Sequence, residues 1–176
     1  MIAEVGLAAL WLAAALAALQ LALGAIGLSR GGTETIAAVR PVAIVQGALA
    51  LLAMAALITL FLASDMSVKL VVENSHSAKP WIYKFAGAWG NHEGSMLLWV
   101  TILGLAGGAV AVLERRLPER TLIATLAAQA GIALGFYAFL LFASNPFARL
   151  PMPARDGMGL NPVSYTHLRA HETSLH

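Results

Sequence analysis

The side chains able to do chemistry are concentrated in one stretch, Lys79-Pro-Trp-Ile-Tyr-Lys-Phe-Ala-Gly-Ala-Trp-Gly-Asn-His-Glu-Gly-Ser95. It sets Trp81, Tyr83, Phe85 and Trp89 beside Gly90, Asn91, His92, Glu93, Gly94 and Ser95, between long apolar runs that hold almost none of these types. An imidazole can ligate a metal or haem, move a proton, or be satisfied by its neighbours, and His92 is open to all three. A lone His with no second His, Cys or Met at ligand spacing is more often structural. Glu93 has a structural reason of its own, because a carboxylate in the first turn of a helix meets the positive end of the dipole. His76, in Glu73-Asn-Ser-His-Ser77, is a second imidazole, and nothing in the sequence pairs it with His92. No triad, phosphate-binding glycine loop, dinucleotide fingerprint or metal-spaced cluster occurs.

The aromatic residues admit two local structures. Trp81, Phe85 and Trp89 recur at helical spacing, whereas Trp81, Tyr83 and Phe85 alternate as a strand would. Pro80 at a first helical position, with Gly87 and Gly90 near the other end, favours a short helix lying on a membrane surface. Trp and Tyr collect at membrane interfaces in any case. That accounts for the rings and leaves Gly90-Asn-His-Glu-Gly-Ser95 unexplained.

The elements that must hold this stretch are membrane spans. The chain has 176 residues, 59% apolar and 11% charged, with a mean hydropathy of +0.76. Soluble domains carry about 25% charged residues. A formal charge of +2 gives no footprint for nucleic acid. The absence of Cys excludes disulfides, thiolate nucleophiles and sulfur ligation by this chain. Four apolar runs, about residues 5–28, 41–63, 95–113 and 121–143, match the roughly 20 residues a spanning helix needs. Met1-Ile-Ala-Glu4 puts an acid where a signal peptide carries basic residues, so the first run reads as a retained span. Residues 29–40 read as a short loop with Pro41 in the first turn of the second helix, and Asn91 as an N-cap for the third. The fold class is therefore all-α: a polytopic membrane protein with four transmembrane helices and a periplasmic loop, residues 64–94, carrying a short interfacial aromatic helix.

Orientation follows the cations. The two short connections, 29–40 and 114–120, hold five Arg, against three Lys in the long loop. That places the short connections in the cytoplasm, and the N-terminus, loop 64–94 and the segment after residue 143 outside. Within the spans, Gly104 with Gly108 and Gly131 with Gly135 form small-xxx-small pairs that let helices approach. Gln20, Gln46 and Gln129 fall at similar depth, between roughly 7 and 14 Å from the cytoplasmic ends at 1.5 Å per residue. They read as interhelical polar contacts. No span carries an ionisable residue at its middle, so no proton relay or ion site is expected.

The strings Asn74-Ser-His-Ser-Ala-Lys-Pro80, Tyr83-Lys-Phe-Ala-Gly-Ala-Trp-Gly-Asn-His-Glu-Gly-Ser-Met-Leu-Leu-Trp99, Phe142-Ala-Ser-Asn-Pro-Phe147 and Asp156-Gly-Met-Gly-Leu-Asn-Pro162 together resemble the amino-terminal region of the CcmF family. These are the haem lyase components of bacterial cytochrome c maturation. The same strings resemble the related subunit of nitrite reductase assembly. The resemblance implies a bacterial inner (plasma) membrane protein. It implies haem as the cofactor of the complete protein, taken from a periplasmic haem chaperone and attached to the Cys-x-x-Cys-His motif of apocytochrome c. Its implied partners are that chaperone, apocytochrome c, thiol-reducing maturation subunits and membrane lipid, with no nucleic acid.

Nothing here matches the family's Trp-x-Trp-Asp haem-handling motif, and the haem-ligating histidines of the family lie further along. The expectation is thus an incomplete haem lyase, with no catalytic residue assigned, no resident metal and no haem retained by the chain alone. It would supply a scaffold and part of the periplasmic surface for haem or its carriers. That surface is assigned to Trp81, Trp89, Gly90, Asn91, His92, Glu93, Gly94 and Ser95, with Gly90 and Gly94 allowing close backbone approach. The alternative is a non-catalytic assembly or docking subunit of a respiratory complex. Residues 163–176 turn abruptly polar, with three of the five His, and are expected to be foreign or out-of-frame sequence joined to a membrane region spanning residues 1–162.

Overall fold

The structure is a computed structural model that describes residues 1–31 and 33–157. The expected foreign tail, 163–176, lies outside the described residues. Helices α1 (Ile2–Arg30), α2 (Thr33–Leu62), α3 (Lys69–Asn74), α4 (Trp81–Gly87), α5 (His92–Leu113) and α6 (Glu119–Phe142) follow in order. Four of them, α1, α2, α5 and α6, are long and apolar enough to cross a membrane. Among the described residues there is no strand, only one antiparallel bridge between Val68 and Arg149. The four long helices form a bundle in which α1 packs on α2 and α6, and α2 on α5.

The spans exceed their expected limits at the first turn. Residues 29–40 are helical on both sides of a tight connection, and Pro41 sits inside α2 rather than in its first turn. Gly31 makes the reversal with φ of 70°, a left-handed value that suits glycine. The added helix before Pro41 is held by packing. Val39 is buried with Ala43, Ala111, Leu122 and Leu126 in a small second core, and Pro41 forfeits only one backbone hydrogen bond. Arg40 Nη1 donates to the Ala111 and Glu114 carbonyls at 2.6 and 3.0 Å, filling orphan acceptors at the end of α5. Arg120 does the same for α1, reaching Leu28 O at 3.2 Å.

Helix contact is set by small residues, though not all the expected ones. A Cβ on Gly47 would lie 2.5 Å from Gly104 O, so α2 and α5 cross backbone to backbone there. Gly24 makes room for the Ala127 methyl across α1 and α6, a Cβ there falling 2.5 Å from it. Gly108, one turn on from Gly104, also faces the α2 backbone, where a Cβ would lie 3.7 Å from Ala43 O and Ile44 Cα, so the expected Gly104 and Gly108 pair lines this contact more loosely. The expected Gly131 and Gly135 pair is corrected: a Cβ on Gly131 would meet only Leu21, at 3.8 Å, and Gly135 faces open space. Gly131 thus touches α1 through one side chain, and Gly135 lies on the exposed face of α6, so neither brings two backbones together.

The bundle interior is closed by amides. Gln20 Nε2 donates to Leu126 O and Gln129 Oε1, both at 2.7 Å. Gln46 Nε2 donates to Gln20 Oε1 at 2.9 Å, and Tyr137 Oη donates to Gln46 Oε1 at 3.0 Å. Gln129 Nε2 reaches Leu103 O at 3.2 Å, across a gap kept open by Gly107, where a Cβ would fall 2.7 Å from the Gln129 side chain. One network thereby joins α1, α2, α5 and α6, and Gln20, Gln46 and Tyr137 are wholly buried.

At the opposite end from the short turns, the chain after α6 folds back on the start of α1 and the long loop. Lys69 N donates to Ala148 O and Leu150 N to Ser67 O, each at 2.9 Å. Phe147 is buried against Gly6. Arg149 binds Glu4 bidentately at 2.5 and 2.9 Å and also contacts the Ser67 hydroxyl. Removing one amide from the interior network orphans its buried neighbours, which costs about 1–3 kcal/mol. Gln20→Leu and Gln46→Leu are each expected to lower the thermal midpoint in detergent. Because both changes act on one network, the double variant should fall short of the sum by at least ~0.5 kcal/mol, and strict additivity would contradict the network.

Candidate functional site

The Gly90-Asn-His-Glu-Gly-Ser95 stretch forms a corner between α4 and α5. Asn91 caps α5: its Oδ1 accepts from Gly94 N at 2.6 Å, satisfying one of the orphan donors of the first turn. Its Nδ2 donates back to Gly87 O at 2.8 Å, so one side chain ties the end of α4 to the start of α5. Gly94 is buried under Ala88, and a Cβ there would lie 1.7 Å from Ala88 O. Gly90 has no such neighbour, its nearest being Ala86 O at 3.4 Å. Ser95 N closes the first helical bond to Asn91 O at 2.9 Å.

The short aromatic helix is present as α4, with Pro80 at its N-cap and no residue of its own buried. Trp81 is 71% exposed and Tyr83 62% exposed, with Ile82 between them also open. Of the expected face of Trp81, Phe85 and Trp89, only the Phe85 and Trp89 contact forms, and the helix stops at Gly87. Trp89 folds back instead, half-buried, its ring edge-on to Phe85 with centroids 4.7 Å apart. The exposed His92 packs edge-on to Phe139 of α6 at 5.8 Å. His76 lies elsewhere: its Nε2 meets Asp156 Oδ2 at 3.1 Å. The two imidazoles are not brought together.

Asp156 is a clasp that nothing local in the sequence marked. Its carboxylate accepts from Ser77 N at 2.9 Å, Ser77 Oγ at 2.7 Å and Gly157 N at 2.8 Å. The Ser77 backbone N–H, then its hydroxyl, hold the carboxyl down at about 2. Asp65 is lowered by the Ser67 hydroxyl at 2.5 Å. Partial burial lowers Lys79, whose Nζ donates to Asn74 O at 3.2 Å. Glu93 lines a cleft of about 260 Å³ with Lys69, Glu73, Phe142 and Asn145.

This end of the molecule does not form a closed haem pocket from the described residues. The cleft is charged and falls below the ~300–1,000 Å³ of enclosing ligand sites, and no group of three or more His, Cys, Asp or Glu converges among the described residues. What it offers is an open aromatic helix, followed by an exposed imidazole at the start of α5. The glutamines expected to be interhelical meet far from it, at the middle of the bundle. Tyr137, which completes their network, was not singled out, since one Tyr in an apolar run carries no signal of its partner.

No family model matches the chain. Cytochrome c-type biogenesis protein ccl1 of Rhodobacter capsulatus is 46% identical over 163 residues, taking in 93% of this chain and 25% of that protein. CcmF of Escherichia coli is 35% identical over 164 residues, with the same shares. The chain thus spans about a quarter of the length of the curated relatives it matches. A solved structure of the cytochrome c haem lyase CcmF superposes with a TM-score of 0.79 at 25% identity, over 84% of this chain and 25% of that one.

The corner separates two glycines four residues apart. Gly94→Ala forces a carbon into the Ala88 backbone, where overpacking costs ~1–3 kcal/mol or more, and should expose the α4–α5 link to protease. Gly90→Ala should leave both stability and protease resistance near the parent. Equal effects of the two changes would refute the corner geometry.

Proposed function

The chain corresponds to the amino-terminal portion of the CcmF family of cytochrome c-type biogenesis proteins, and from that premise we propose that it is a scaffold and docking surface in haem delivery. The observation that carries this is α4, an aromatic helix with Trp81 71% exposed yet tied to α5 at its C-terminal end by the Asn91 corner. Large apolar surface held rigid in the open usually marks an interaction site. Trp81 and Tyr83 suit the flat face of a porphyrin or the apolar surface of its carrier, with His92 as the polar contact. Gly94 and Asn91 act by positioning, as the bonds of the corner require.

In this reading haem passes from a periplasmic chaperone toward apocytochrome c across a surface to which Trp81, Trp89, His92 and Glu93 contribute. Thiol-reducing maturation subunits supply the reduced acceptor. Haem would bring the iron and vinyl groups; these residues would only bind and orient. The shared biogenesis role of the relatives sets this above a docking subunit of a respiratory complex. The helices fit a multi-pass membrane protein. The proposed setting is the bacterial inner membrane, with the N-terminus and residues 64–94 periplasmic, supported by Arg30, Arg40, Arg115, Arg116 and Arg120 gathering at the short-turn end of the bundle. Residues 1–162 would be the membrane region proper, and 163–176 foreign to it.

Trp81→Ala and His92→Ala, each placed in the full-length protein carrying this region, should lower haem-stained cytochrome c several-fold at unchanged membrane abundance. Unchanged maturation in both would remove the docking role. Sidedness is testable because the chain has no cysteine. Ala78→Cys should react with an impermeant maleimide in intact spheroplasts, and Leu117→Cys only after lysis. The reverse pattern would invert the topology.

A further inference from the structure

We propose that the groove between α2 and α5 at the short-turn end binds one anionic phospholipid. Its phosphate would sit between Arg40 and Arg115, and an acyl chain would run along Ile44 and Val112. The groove has a volume of about 510 Å³ and is lined by Arg40, Pro41, Ile44, Ala111, Val112 and Arg115, inside the ~300–1,000 Å³ range of ligand sites. None of the six is acidic. Glu114, the acid beside it in sequence, turns its Oε1 to Arg116 N at 3.0 Å. Arg40 is half-buried and fixed through Nη1 alone, on Ala111 O and Glu114 O. Its Nε and Nη2 donors have no protein partner among the described residues. Arg115 is exposed and makes no side-chain hydrogen bond or ion pair among them.

Two guanidiniums with free donors match the oxygens of a phosphate, which Arg binds as a fork. The other four lining residues would be idle against soluble phosphate. Pro41, Ile44, Ala111 and Val112 form an apolar wall below the cations, and it continues down the exposed faces of both helices through Val45, 47% exposed, and Leu105, 41% exposed. That order, charge at the helix ends and apolar groove toward the bilayer, is the order of a phospholipid. Basic pockets between spanning helices take anionic headgroups for this reason. The groove between α1 and α6 lacks the combination. It has a single cation, Arg120.

The test is native mass spectrometry of the full chain in neutral detergent, titrated with phosphatidylglycerol or phosphatidylcholine of the same acyl chains. One phosphatidylglycerol should be retained in preference to phosphatidylcholine. Arg115→Gln should weaken it about fivefold, the share of one guanidinium near an anionic headgroup, whereas Arg116→Gln should not. Arg40→Lys, which keeps the charge and removes the fork, should fall between. Equal retention of the two lipids would overturn the proposal, as would equal affinity in the Arg115 and Arg116 variants. Displacement of the lipid by equimolar glycerol 3-phosphate would reassign the groove to a soluble phosphate and overturn it too.

Discussion

The buried amide network is the constraint on which the rest of the bundle depends. Between helices in lipid the hydrophobic effect gives little preference for one contact over another, since acyl chains are as apolar as leucine. Rotation and register must come from groups that lipid cannot satisfy. Gln20, Gln46, Gln129 and Tyr137 supply them, each wanting a partner that only another helix holds. The small residues at Gly47, Gly104 and Gly107 bring the backbones close enough for those bonds to close. With α1, α2, α5 and α6 locked at mid-height, the positions of their ends follow, and the two ends can be built differently.

At one end the helices are joined by tight turns, and arginines do the joining across helices. Arg40 and Arg120 each spend a donor on carbonyls at another helix's C-terminus, where the dipole favours a cation. At the other end the connections are long, and the chain after α6 is drawn in by Phe147 under Gly6, by the short ladder at Val68 and Arg149, and by the Asp156 clasp on Ser77. Isolated exposed pairs such as Arg149 with Glu4 contribute little each. Their value lies in acting together on a segment already seated by a buried ring.

The hydropathy pattern made four spans legible, because a run of some 20 apolar residues has few alternatives. Asn91 was legible as a cap because its partner is three residues away, and α4 because Pro80 and Gly87 bracket it. Features with distant partners were not. The helix before Pro41 depends on Val39 packing against Leu122, some 80 positions on, and the polar residues around it read locally as a loop. The Gly131 and Gly135 pair had the right spacing, yet spacing says nothing about whether a helix lies opposite. Of the glutamines, depth could be counted from the helix ends, whereas the choice of donor and acceptor, and the arrival of Tyr137, required the packing itself.

The same separation clarifies the signature stretch. Read as a string, Trp-Gly-Asn-His-Glu-Gly-Ser mixes residues of two kinds, and geometry sorts them. Asn91 and Gly94 are committed to the corner: one holds two backbone groups, the other leaves no room for any side chain. Trp89 is half committed, folded against Phe85. Trp81 and His92 face outward, Trp81 with no ring against it among the described residues and His92 with only the edge of Phe139. Neither side chain is held in place by the fold: Trp81 suits a membrane interface as it stands, and both are open to the docking partner of the proposed function. The corner fixes where α4 stands, because it cannot swing away from α5 while the Asn91 bonds hold.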